Sequence, residues 1–499
     1  MTTLQLQKPR NGAATAASPT RSSLRQWAPL AVLMIGTFMI VLDFFIVNVA
    51  LPSIQTGLHA GTTALEWVVA GYGLTFAVFL IAAGRLGDRI GRRRTFAAGL
   101  AVFTGASALC GLAPNEGVLV AARLAQGVGG ALLSPNILSM LGVVYPGERR
   151  VKAITVYGLV MGLAAASGQL IGGLLIAANI AGSGWRAIFL INVPVGLAGL
   201  LLTPRLLPES RAEQAKRVDV LGLGLVTGAL VALVLPLVQG RNAGWPAWSW
   251  VSFGLSAVLF AALAVTQRRL AARGGSPLLD PVLFTNRNLR SGLVTQLAFW
   301  CGQAAFFLVL ALYLQQGRGL SPLEAGSVFS ILAAAYLAVS LRAPALTVRF
   351  GRDLVCAGAV VLAAGDIALW LFVHHYGSGG PLGLLAPGLV RAGAGMGLAI
   401  TPLTTTVLAH ATPKTAGSIS GALSTMQQVG NAVGVAVTGA IFYGALDHGV
   451  AVAFERSLIE LTALFVGVAV LSQVLPGRRR RADVVAPAST AAAANEQAA

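Results

Sequence analysis

The chain has 499 residues, of which 56% are hydrophobic and only 10% charged. Soluble domains carry about 25% charged residues, so this composition excludes an ordinary soluble enzyme or binding module. The charge is one-sided, 35 Lys and Arg against 17 Asp and Glu, yet the arginines form short clusters between apolar runs, which fits the loop bias of a membrane protein and argues against nucleic-acid binding.

Residues 1–26 are polar, basic and rich in Ala, Ser and Thr, with no apolar core. They read as a disordered cytoplasmic arm rather than a cleaved signal. A bilayer core takes about 20 mostly apolar residues to cross. Fourteen segments qualify: 28–50, 65–83, 95–113, 117–143, 153–178, 187–203, 219–239, 248–266, 291–313, 323–341, 354–374, 382–408, 415–445 and 455–476. With the N-terminus inside, 29 of the 35 Lys and Arg fall in cytoplasmic segments, four outside (Arg186, Arg241, Arg318, Arg456) and two within spans (Arg123, Arg391). The bias alternates without a break. A missed or surplus helix would reverse it midway, so an even count with both termini cytoplasmic is expected.

The predicted organisation is an all-α polytopic protein with two six-helix halves, 27–204 and 291–476. An inserted helix pair, 219–267, lies between cytoplasmic linkers 205–218 and 268–290, and a tail follows at 477–499. The halves read as a duplication. Gly84-Arg85-Leu86-Gly87-Asp88-Arg89-Ile90-Gly91-Arg92-Arg93-Arg94 follows the second span, and the weaker echo Arg349-Phe350-Gly351-Arg352-Asp353 follows the second span of the C-terminal six. Repeats of this kind place a binding site near the midplane between halves in secondary transporters.

Charge at bilayer depth costs at least about 2.5–3.5 kcal/mol. Asp43, Arg123, Asp366 and Arg391 all lie inside expected spans. Asp43 and Arg123 fall at similar depth and can pair. Low dielectric favours a protonated carboxyl and an adjacent guanidinium favours the carboxylate, so relative movement would switch proton affinity. The competing reading is a static pair that fixes helix register. Asp366 and Arg391 read as a second pair or as a substrate contact. In the fifth span, Gly158, Gly162, Gly168, Gly172 and Gly173 allow close helix approach, either for packing alone or as a face across which the halves rock. Trp67, Tyr72, Trp185 and Tyr313 read as interfacial anchors. Trp300, Phe306 and Phe307 are candidates to face a cavity. Cys110, Cys301 and Cys356 and the five histidines have no metal-ligand spacing. No Walker A motif is present, so a proton gradient is the expected energy source and no cofactor is expected.

At these residues the chain resembles the major facilitator superfamily, in particular its fourteen-span drug:proton antiporters. Leu42-Asp43-Phe44-Phe45-Ile46-Val47-Asn48-Val49-Ala50-Leu51-Pro52 resembles that group's first-span motif, and Gly84 to Arg94 the superfamily's signature between spans 2 and 3. Arg123-Leu124-Ala125-Gln126-Gly127, Gly158 to Gly173, and Trp185-Arg186 with Phe189, Asn192, Pro194 and Gly196 resemble the motifs of spans 4, 5 and 6. Further likeness runs through Tyr313-Leu314-Gln315 and Ala416-Gly417 to Gly434.

The resemblance implies an antiporter in the cytoplasmic membrane that expels small lipophilic drugs or antibiotics and works as a monomer. It makes Asp43 the proton carrier and Arg123 its partner. Gly84, Gly87, Asp88, Arg89, Gly91 and Arg92 would form a cytoplasmic gate, with Asp88 in a latch broken on inward opening. One departure stands out. The antiporter motif of span 5 has Gly-Pro-x-x-Gly-Gly, and this chain reads Gly168-Gln169-Leu170-Ile171-Gly172-Gly173. Losing the proline restores a backbone N–H and should soften a kink. A dedicated exporter of one natural product, an importer or facilitator, and a non-transporting membrane sensor remain as alternatives.

Overall fold

The computed structural model describes residues 19–211, 219–240, 243–278, 281, 286–408 and 416–475. The expected tail, most of the expected arm and parts of both linkers lie outside these residues. The helices are α1 (Pro19–Leu58), α2 (Thr62–Ile90), α3 (Arg92–Gly111), α4 (Glu116–Val144), α5 (Glu148–Ala178), α6 (Ala187–Leu190), α7 (Asn192–Leu206), α8 (Val220–Gln239) and α9 (Ala247–Ala272). They continue with α10 (Arg287–Leu312), α11 (Pro322–Ser340), α12 (Ala343–Phe350), α13 (Arg352–Tyr376), α14 (Ala386–Leu408), α15 (Ala416–Gly444) and α16 (Val450–Ser472). Among the described residues there is no strand.

Every one of the fourteen expected spans falls on a helix, α6 and α7 together serving for one. Ten helical segments are long and apolar enough to cross a membrane, and α5 makes an eleventh as a bent pair. The remaining three, α3, α15 and α16, are more polar: Arg92, Arg93 and Arg94 head α3, amides and hydroxyls run through α15, and Glu455, Arg456 and Glu460 lie in α16. The chain is a multi-pass membrane protein, and fourteen crossings are consistent with these helices. One boundary differs from expectation. Helix α1 already begins at Pro19, so the arm expected over 1–26 merges into the first helix.

The two halves meet along two seams, α2 against α15 and α5 against α11. Small residues permit the close approach of α5 and α11. A methyl group built on Gly173 would lie 2.5 Å from the Pro322 carbonyl oxygen, and one on Gly326 would lie 2.7 Å from that of Gln169. The inserted pair stands outside this ring. Helix α9 packs on α8, and α8 leans on both α2 and α15. The Ser256 hydroxyl donates to the Ala229 carbonyl at 2.8 Å and ties α9 to α8.

Helix α5 bends by 46° between Lys152–Ala165 and Ser167–Ala178, so the kink persists without the motif proline. The Ser167 hydroxyl donates to the Leu163 carbonyl at 2.7 Å and Gly168 follows it. Such a back-bonded Ser-Gly step is a recognised cause of helix bending.

Candidate functional site

Asp43 and Arg123 are both fully buried and form an ion pair through Arg123 Nη1. The structure therefore brings together the two charges that the sequence placed at similar depth. Two amides also hold the carboxylate. On its other oxygen, Gln126 Nε2 donates at 2.8 Å and Asn192 Nδ2 at 3.0 Å. Gln126 in turn donates to Ser107 Oγ at 2.8 Å, and its own Oε1 accepts from Arg123 Nη1 at 2.8 Å. Arg123 Nε donates to the Val68 carbonyl at 2.8 Å, while Arg123 Nη2 finds no hydrogen-bond partner. Helices α1, α3, α4 and α7 thus converge on one acid. A buried pair is costly unless its remaining lone pairs and protons are satisfied, and this network meets most of that demand.

Tyr72 is the residue the sequence reading misplaced here. It is fully buried in α2, not at an interface, and its ring lies 4.5 Å from the Arg123 guanidinium carbon. Trp185 and Tyr313 are also buried, the latter donating from its hydroxyl to the Gly377 carbonyl at 2.7 Å. Aromatic residues near the ends of linear segments resemble membrane anchors, but these three rings pack inside the bundle.

Between the halves lies a cavity of about 560 Å³, within the size range of small-molecule sites. Its walls come from α1, α2, α4 and α5 of one half and α10, α11, α14 and α15 of the other. Tyr72 and Phe44 line it, so Tyr72 touches the cavity on one side and Arg123 on the other. Trp300 and Phe307 line it as expected; Phe306 is buried but does not. The cavity runs toward the end bearing the basic Gly84–Arg94 segment, reaching exposed Leu138, Ile154 and Thr405. The opposite end is closed. Phe45 packs edge-on against Phe307 with ring centroids 5.0 Å apart. Beyond it, Gln315 Nε2 donates to the Val49 carbonyl at 2.9 Å and Gln316 Nε2 to Gln55 Oε1 at 3.0 Å.

The glycines of α5 serve three surfaces rather than one. Gly158 lines the cavity. Gly162 and Gly173 face α11 across the seam, and Gly168 and Gly172 receive Phe45, Ile46 and Val49 of α1 in the same half.

The Gly84–Arg94 segment is tied locally. Arg92 Nη2 pairs with Asp88 Oδ1 at 2.7 Å, one helical turn apart, and Arg89 is exposed. Gly87 leaves room for the Asn136 side chain, and Gly91 adopts φ +119°, a conformation open to glycine, with Glu209 against it. Glu209 accepts from the Arg93 backbone N–H at 3.1 Å and lies 3.7 Å from Arg94 Nε. The sequence reading missed Glu209; an acid directly after a span that ends beside a basic loop was the available signal. Arg85 donates to the Ser276 carbonyl at 2.9 Å and so ties the segment to the linker after α9. Burial lowers the Arg85 pKa from its ordinary value, and the Asp219 carboxylate pushes it back up.

The expected pairing of Asp366 with Arg391 is absent. Asp366 is fully buried and neither carboxyl oxygen has a hydrogen-bond partner. The Glu460 carboxylate acts on it from α16, and Thr438 donates to Glu460 Oε2 at 2.9 Å. Arg391 is exposed, with Nη1 donating to the Pro387 carbonyl at 2.9 Å. Position along a span gives depth but not angle, and the two side chains leave their helices in different directions.

A ring of spanning helices in two halves around a central cavity open at one end defines a membrane transporter for small molecules. Residues 33–435 match the Major Facilitator Superfamily, and the chain belongs to that family. It is 38% identical over 438 residues to the probable actinorhodin transporter of Streptomyces coelicolor, covering 87% of this chain and 75% of that one. It is 34% identical to the multidrug resistance protein Stp of Mycobacterium tuberculosis, covering 85% and 77%. It is likewise 34% identical to the tetracenomycin C resistance and export protein of Streptomyces glaucescens, covering 88% and 80%. Among solved structures, an auto-inhibited peptide transporter of the POT family superposes with a TM-score of 0.67 at 13% identity, over 92% of this chain and 99% of that one, a likeness of fold alone.

Proposed function

We propose that this chain is a proton-driven exporter of small lipophilic compounds, drugs or antibiotics, across the cytoplasmic membrane. The observation that carries this reading is the buried Asp43–Arg123 pair standing directly behind Tyr72, on the wall of a cavity that opens at the basic end. The basic end faces the cytoplasm by the positive-inside rule, so both termini are cytoplasmic and the cavity is open inward. Export sits naturally beside relatives named for export and resistance.

In the inward-open state the Asp43 carboxylate is held by Arg123, Gln126 and Asn192, and substrate enters the cavity from the cytoplasm or the inner leaflet. The halves then rock about the α5–α11 and α2–α15 seams. Once the outer side opens, a proton on Asp43 loosens the Arg123 contact, Tyr72 shifts with the guanidinium, and the cavity wall changes shape so that substrate leaves. The proton departs inside when the pair reforms. The proton is the coupling ion; the cycle needs no bound cofactor, no covalent chemistry and no second protomer.

The test is flux in proteoliposomes under an imposed pH gradient. Asp43→Asn should abolish gradient-driven export while leaving expression and membrane insertion intact. Full export by that variant would reject the assignment. A second reading, an exporter dedicated to one natural product, is favoured by relatives named for a single compound each. A growth-inhibition panel across unrelated antibiotics separates the two readings, since a dedicated exporter protects against one.

A further inference from the structure

The chain departs from the antiporter motif at Gln169, and that residue lies on the cavity wall. Its side chain is 1% exposed, and neither Oε1 nor Nε2 has a partner within the protein. Two amides on α10 share the wall: Gln296 and Gln303 are 2% and 4% exposed, each with an unpartnered Oε1. Asn431 adds an unpartnered Oδ1 from α15. Buried polar groups are nearly always satisfied, so a set of them converging on a cavity marks where a ligand supplies the missing partners.

We propose that Gln169, Gln296 and Gln303 form an amide girdle that selects uncharged, fused-ring aromatic compounds carrying hydroxyl and carbonyl groups at their edges. This inference rests on the export reading and narrows its substrate. The ring faces come from the same wall. Phe307 and Phe329 stack with centroids 5.7 Å apart and planes 7° from parallel, and Trp300 lies beside them on the lining. Flat aromatic surface of this kind favours stacked or edge-on rings.

The charge preference follows from what the lining lacks. Among the described residues that line the cavity none is ionisable as an acid or base of ordinary strength; tyrosine is the nearest to one. The carboxylate behind the Tyr72 wall, Asp43, is held by Arg123, Gln126 and Asn192. A quaternary cation would gain roughly 2- to 30-fold in affinity from the aromatic faces. It would also leave amide acceptors without donors, at a cost of roughly 5- to 150-fold each. The second effect outweighs the first. A compound with hydroxyl donors and carbonyl acceptors satisfies both the amides and the rings.

The test uses the purified full-length chain in detergent and equilibrium binding of a dihydroxyanthraquinone, with anthracene as a shape control and tetraphenylphosphonium as a competitor. The quinone should bind, anthracene should bind more weakly, and excess tetraphenylphosphonium should not displace the quinone. Gln169→Leu and Gln303→Leu should each weaken quinone binding about tenfold while eluting as a single species in gel filtration. Restoring the motif residue with Gln169→Pro should weaken it as much. Displacement by excess tetraphenylphosphonium would overturn the proposal, as would equal binding of anthracene or parental affinity in both leucine variants. Should Gln169→Leu fail to fold, Gln303→Leu decides. Flux separates this inference from the reading beneath it. Quinone binding without gradient-driven transport removes export and keeps the girdle; gradient-driven transport of tetraphenylphosphonium keeps export and removes the girdle.

Discussion

In the N-terminal half Asp43 is surrounded by partners, whereas in the C-terminal half Asp366 is almost bare. Asp43 is met by a guanidinium and two amides from separate helices. Asp366, equally buried, has no hydrogen-bond partner and only a second acid, Glu460, acting on it. The halves share a six-helix plan, yet the chemistry was not duplicated with the backbone. An acid beside a mobile base can pass between two charge states at modest cost. Among the described residues Asp366 has no basic partner with which to make such an exchange.

Four substitutions sharpen or break this contrast. The largest effect is expected from Asp43→Asn, with complete loss of pH-gradient-driven flux in proteoliposomes and retained substrate binding. Arg123→Met should lower stability by about 3–5 kcal/mol, since it strands a buried carboxylate. Thermal unfolding in detergent checks this, and adding Asp43→Asn to that variant should recover part of the loss. Tyr72→Leu keeps the ion pair but removes the ring between it and the cavity. Substrate binding should then cease to depend on the protonation of Asp43, so the pH dependence of affinity flattens while the fold persists. Asp366→Asn should do least, changing stability by less than about 1 kcal/mol because the side chain keeps its shape and no hydrogen bond is lost, with flux unaltered. Loss of coupling in that last variant would erase the distinction between the halves.

Much of this was readable in the linear chain. Charge inside an apolar run is rare enough that Asp43 and Arg123 announced themselves, and the alternation of basic loops gave an even set of crossings with which the observed helices are consistent. The seams were partly legible too, since Gly162 and Gly173 do face the other half. What failed was angular. Asp366 and Arg391 were matched by depth, but only the packed helices show that one points into the bundle and the other out of it. Tyr72 was judged by its nearness to the end of an apolar segment, whereas α2 begins at Thr62 and carries the ring well inside. The cavity amides were overlooked for another reason: a search for charge passes over Gln169, Gln296 and Gln303, although a neutral amide in mid-span is itself an unusual and costly residue.

The two seams differ in their surroundings. Helix α8 rests on α2 and α15 together, roofing that junction from the bilayer side, while among the described residues no helix outside the ring overlies the junction of α5 with α11. The inserted pair therefore gives the two seams unequal lipid-facing surroundings: one lies beneath a further layer of helix, and the other is sealed by its own glycine contacts alone.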